Sequence, residues 1–130
     1  MTPPSTMPFS ELLGIRVTKS TPDLVEAEME VRPDLCTVPA VLHGGALMAL
    51  ADSVGALATV LNLPAGAWTT TIESKTNFLA ALPVGEVARA SCTPIHKGKT
   101  TMVWQTRISR ADGRLAGIVT QTQLVTQPRK

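Results

Sequence analysis

The spacing of apolar residues along the chain changes period twice. Residues 24–31 alternate: Val25, Ala27, Met29 and Val31 fall on one face, and Glu26, Glu28 and Glu30 on the other. That is the pattern of a half-buried antiparallel strand. Residues 15–20 predict a shorter strand before it, joined through a Thr21-Pro22-Asp23 turn. Ahead of both, residues 9–13 predict a helical turn capped by Ser10 and stopped by Gly14. From Gly44 the pattern is helical and runs to Asn62 or Leu63, where Pro64-Ala65-Gly66 ends it. The period of two then returns over residues 69–79, 86–96, 100–110 and 114–125. Pro83-Val84-Gly85, Lys97-Gly98-Lys99 and Ala111-Asp112-Gly113 mark the turns between them. Asp112-Gly113 is the strongest hairpin signal of the set. The fold class this order predicts is α+β, one antiparallel sheet wrapped around one long helix.

The helix holds the chemical anomaly. One stripe, Leu47, Leu50, Val54, Leu57 and Leu61, has core spacing. A second stripe consists of small residues, Gly45, Ala49, Gly55 or Ala56, and Thr59, with Asp52 at its centre. A helix apolar all round is expected to be buried all round. Between Asp34 and Glu73 the ionisable side chains are Cys36, His43 and Asp52 alone. A carboxylate buried without a partner is costly, so Asp52 either has a structural partner, such as Ser53 or a partner backbone, or faces a cavity that uses its charge. One sheet around one helix leaves the far helix face open. A second subunit is the simplest cover, so at least a homodimer is expected, and a homotetramer built as a dimer of dimers.

Composition narrows the remaining classes. At 130 residues the chain makes one domain, residues 9–127, preceded by a Pro/Ser/Thr-rich stretch, residues 1–8, expected to be disordered. Through Ser74 there are three basic and eight acidic residues; from Lys75 onward, nine basic and two acidic. The basic half suits solvated strand faces or a rim for a phosphate-bearing ligand. Nucleic acid is not the expected partner, because no aromatic stacking set or recognition-helix pattern is present. A membrane span over residues 41–63 is argued against by the central Asp52, the His-Gly-Gly start and the lack of basic anchors. The beginning of the chain shows no basic and apolar leader pattern, and the two cysteines suggest no disulfide framework, so a reducing cytoplasmic setting is expected. Two separated His and two separated Cys make no metal set, and no cofactor is expected.

Three stretches carry a resemblance. LHGGALMALADS resembles the His-Gly-Gly…Asp motif of hotdog-fold acyl-CoA thioesterases of the phenylacetate-degradation and 4-hydroxybenzoyl-CoA type. TIESKTNFLAALPVGEV is similar to that family's next strand, and HKGKTTMVWQTRISRADGRLAGIVTQTQLV to its last two. The resemblance spans roughly residues 9–125 and implies a hotdog fold and hydrolysis of an acyl- or aryl-CoA thioester to the acid and free coenzyme A. It implies Asp52 as nucleophile or general base, the Gly44 N–H as oxyanion donor, Thr71 as the hydroxyl that orients water, and His43 as a group positioning the loop or the thioester. For His43 the alternative is a helix-start histidine bonded to backbone. It further implies substrate contacts from Thr37, Gly45, Asn77 and Phe78. Lys97, Gly98, Lys99 and Thr100 match a region that contacts coenzyme A phosphates and pantetheine.

Gly44 and Asp52 are eight residues apart, about 12 Å along a helix, too far for one carbonyl to touch both. The site is therefore expected to combine Gly44 of one subunit with Asp52 of the other, as the resemblance also implies. Three positions depart from the family pattern: Thr37 stands where Asn or Gln is common, Ala80 where an Arg is expected, and Ala56 where some relatives have Thr. The alternatives are a non-catalytic acyl-CoA-binding module and a hotdog dehydratase or hydratase. The dehydratase would want an Asp/His pair across the site, which His96 does not clearly supply.

Overall fold

The alternating residues form strands that pair throughout as an antiparallel sheet. The computed structural model describes residues 7–127. Strands β1 (Arg16–Thr21) and β2 (Leu24–Glu30) make the first hairpin. A short hairpin of β3 (Cys36–Thr37) and β4 (Val41–Leu42) follows, and leads into the long helix. β5 (Trp68–Phe78), β6 (Val87–Lys97), β7 (Thr101–Ser109) and β8 (Leu115–Thr126) complete the six-stranded sheet, in the order β1-β2-β6-β7-β8-β5. The expected strands all appear, their ends moved by at most one residue. The β3–β4 hairpin was not anticipated; two residues per strand are too few to show a period.

The first helix, α1 (Pro8–Leu13), ends at Gly14 in the left-handed conformation (φ 74°), which glycine adopts without strain. Ser10 is not its cap. It lies inside the helix, and Met7 occupies the cap position without a side-chain bond. Pro8 opens this helix, so the disorder expected for residues 1–8 does not extend to it; residues 1–6 lie outside the described residues.

The long helix α2 (Gly44–Val60) packs across β2, β5, β6, β7 and β8. Leu47, Leu50, Val54 and Leu57 are buried, as the leucine stripe predicts, beside Ala51 and Ala58. Each leucine side chain removed from water contributes roughly 1.5–3 kcal/mol. Trp104 on β7, fully buried, donates its indole N–H to Thr59 Oγ1 (2.9 Å), and Thr59 donates on to the Gly55 carbonyl (2.8 Å). The helix stops because the Asn62 side chain turns back to the Ala58 carbonyl (2.8 Å) and also bonds the Pro22 carbonyl (2.9 Å). Burial is not all round. Thr59 and Gly55 belong to the sheet side, whereas Gly45 and Asp52 are exposed and Ala49 and Ala56 half-buried on a face no described element covers.

Candidate active site

Asp52 points to the rim between helix and sheet. Thr71 on β5 donates its hydroxyl to Asp52 Oδ1 (2.7 Å), and Gln121 on β8 donates from Nε2 to the same oxygen (3.1 Å). Behind Thr71, Gln123 Nε2 donates to the Thr71 hydroxyl oxygen (2.6 Å), and Thr69 donates to Gln123 Oε1 (2.8 Å). The direction of the chain is fixed at its acidic end. A carboxylate only accepts, so the Thr71 proton must point at Asp52 and its oxygen must receive from Gln123. Oδ2 accepts no bond from any described residue.

β5 and β8 bring these groups together through register. Thr71 pairs with Gln123 across the strands, and a bulge between Thr71 and Glu73 shifts the alternation so that Ser74 faces Gln121. Val119, Gln121, Gln123 and Val125 share the inward face of β8, and both glutamines are fully buried. Among the described residues, Gln121 Oε1 has no hydrogen-bond partner. A buried acceptor left unpaired costs about 1–3 kcal/mol. A Cβ built on Gly55 would fall 2.1 Å from that oxygen, so only glycine leaves room for the amide. Sequence reasoning found Asp52 and Thr71 but missed Gln121, Gln123 and Thr69. Two glutamines on the apolar face of a strand are the same kind of signal as one aspartate in an apolar helix.

The helix N-terminus forms the second centre. His43 Nδ1 accepts the Gly45 N–H (2.8 Å), which caps the helix and places the proton of the neutral ring on Nε2. The backbone-bonded alternative for His43 is thus present. The cap uses the Gly45 N–H and leaves the Gly44 N–H without an acceptor among the described residues. A free N–H at the first turn, aligned with the helix dipole, favours developing negative charge. The Phe78 ring closes over this turn; a Cβ on Gly44 would lie 3.1 Å from it. Thr37 and His43 line one open groove with Cys36, Val38, Ala40 and Val84.

The other expected contacts are spread more widely. Alternation turns Asn77 to the opposite sheet face from Phe78. Lys97 is ion-paired with Asp23 and lies 6.0 Å from the centre of the Trp104 ring. Gly98 closes the β6–β7 turn on the Thr101 carbonyl (2.8 Å), and the Thr100 carbonyl accepts from Val125 (2.8 Å). Lys99 is exposed and forms no ion pair with a described residue. This turn lies at the Trp68 end of β5, whereas Gly44 packs at the Phe78 end. Among the described residues, no three His, Cys, Asp or Glu side chains gather as metal ligands, and no helix is long and apolar enough to cross a membrane.

Comparison with known proteins agrees with this geometry. The family model described as thioesterase superfamily matches residues 40–116, which include Gly44, Asp52 and Thr71. The chain is 35% identical over 104 residues to the proofreading thioesterase EntH of Cronobacter turicensis, covering 80% of this chain and 75% of that protein. It is 34% identical over 103 residues to the 1,4-dihydroxy-2-naphthoyl-CoA hydrolase of Escherichia coli, covering 79% and 75%. The crystal structure of a thioesterase from Haemophilus influenzae superposes with a TM-score of 0.89 at 30% identity, covering 96% of this chain and 87% of that one. The sheet, the central helix and these likenesses together establish that the chain belongs to the thioesterase superfamily and has its hotdog fold.

Proposed function

We propose that this chain hydrolyses an acyl- or aryl-CoA thioester in a site shared between two subunits. The observation that carries the reading is Asp52, tethered through Oδ1 on the uncovered helix face with Oδ2 open. The Gly44 N–H of the partner subunit polarises the thioester carbonyl and holds the oxyanion. Asp52 attacks the carbonyl carbon directly, or takes a proton from the water that does. By the direct route the C–S bond breaks as an Asp52–acyl anhydride forms, and water then cleaves that anhydride to free the acid and restore the carboxylate. By the general-base route the water oxygen enters the acid directly. In both, the coenzyme A sulfur leaves and is protonated.

The same face and the strand beside it support a dimer. β5 is an edge strand of 11 residues that exposes Trp68, Ile72 and Phe78. The unpaired backbone groups of a long edge strand are a template for pairing, and pairing two β5 strands lays two α2 helices side by side and antiparallel. Such a pair sets Gly44 of one chain near Asp52 of the other, bridging the ~12 Å that one helix cannot. The substrate class is supported by the hydrolysis of an aryl-CoA named for the Escherichia coli relative. His43 directly precedes Gly44 and shares a groove with Thr37, which supports these two side chains as contacts for the carbonyl or pantetheine.

The test is thiol release from short, long and aryl acyl-CoAs by wild type and Asp52→Asn. Turnover by wild type with a loss of ~10²-fold or more in the variant is expected. Equal rates would remove Asp52 from the chemistry, and tight binding without turnover would make the protein a binding module.

A further inference from the structure

We infer that Gln121 is a positioning residue for Asp52, seated by the missing side chain of Gly55. The inference rests on the reading of Asp52 as the reacting carboxylate. Thr71 and Gln121 both donate to Oδ1, from the neighbouring strands β5 and β8, and none of the described residues donates to Oδ2. One donor fixes a distance; two on one oxygen also fix the rotation of the carboxylate plane. The arrangement therefore distinguishes a held oxygen from a working one.

The amide's other end shows that this placement is not a packing optimum. Gln121 is fully buried, and its Oε1, against the helix at Gly55, has no partner among the described residues. Turning the amide over would aim an acceptor at the carboxylate, so the N–H must face Asp52. A methionine would fill the volume without leaving a buried acceptor unmet. The glutamine is thus explained by the carboxylate it serves. Gly55 completes the device. A Cβ there would sit 2.1 Å from Oε1 and 2.7 Å from Nε2, so it would drive the amide off Asp52.

The experiment measures kcat and KM for Gln121→Met and Gly55→Ala, alone and together, and for Gln121→Met combined with Asp52→Asn, alongside melting temperatures. Gln121→Met is expected to lower kcat about 10-fold or more, the worth of one hydrogen bond to a charged group, with KM nearly unchanged. Its melting temperature should not fall. Gly55→Ala should lower kcat similarly, and the two changes together should cost no more than one. In the Asp52→Asn background Gln121→Met should cause no further loss, since it acts through Asp52. Wild-type kcat in Gln121→Met overturns the inference while leaving the Asp52 reading intact. An equal fractional loss with and without Asp52 also overturns it, because the role would then be structural. Full activity in Asp52→Asn would instead overturn the underlying reading, and the inference with it.

Discussion

At the scale of single residues, charge is used sparingly, and about half of the described charged side chains stand in ion pairs. Lys97 is held by Asp23, Arg16 and Arg89 both reach Glu28, and Arg110 spans Glu86 and Asp112. Lys99, exposed on the β6–β7 turn, has no such partner among the described residues. Of the two turn lysines it is therefore the one with a charge to offer coenzyme A phosphates, where lysine acts as a point charge. Lys99→Ala is expected to raise KM about 2- to 5-fold with kcat unchanged, and the effect should shrink as salt is added. Steady-state kinetics at two ionic strengths checks this; a fall in kcat instead would place Lys99 in the reaction rather than in binding.

At the scale of elements, the sheet interior sets the behaviour of one thiol. Cys92 is buried on β6, and burial pushes its thiol up from 9.0 to about 11, only partly opposed by the Thr106 hydroxyl. The unfolded chain loses that proton first, so the native state binds more protons between these values. Stability is full below pH 9 and falls by about 1.4 kcal/mol per pH unit from this group as pH rises towards 11. Denaturant titrations of wild type and Cys92→Ala across that window should show the variant's slope to be flatter. Parallel slopes would mean that Cys92 does not titrate differently in the two states.

The elements also show why some features were legible in the sequence and others were not. The strands of two-residue period and the leucine stripe of α2 were readable because each follows from local spacing. Asp52 was readable because it breaks a pattern. Gln121 and Gln123 break one too, but that a carboxylate stands opposite them depends on how β8 lies against β5 and α2. Thr59 and Gly55 looked like members of the open stripe because a helical wheel does not say where the sheet ends. The indole of Trp104, 45 residues away, decides that Thr59 faces inward. The His43 cap was one of two readings, since the same side chain suits a helix start and a substrate contact.

At the scale of the whole molecule, the account depends on two chains making each site. The complementation of two defective subunits tests it most directly. Asp52→Asn removes the carboxylate. Gly44→Pro removes the oxyanion N–H at the first helical position, where proline is tolerated and the helix needs no donor. His43 already has the extended conformation (φ −61°, ψ 135°) that precedes proline, and the Phe78 ring beside Gly44 must shift slightly to admit the new ring. Each variant alone should be nearly inactive. The two are co-expressed with different tags and captured through both, giving dimers of one chain of each kind. A shared site predicts that one of the two sites in each mixed dimer is intact, so activity returns to about half of the wild-type value. Mixed dimers no more active than their parents would show that Gly44 and Asp52 act within one chain, and would contradict the account.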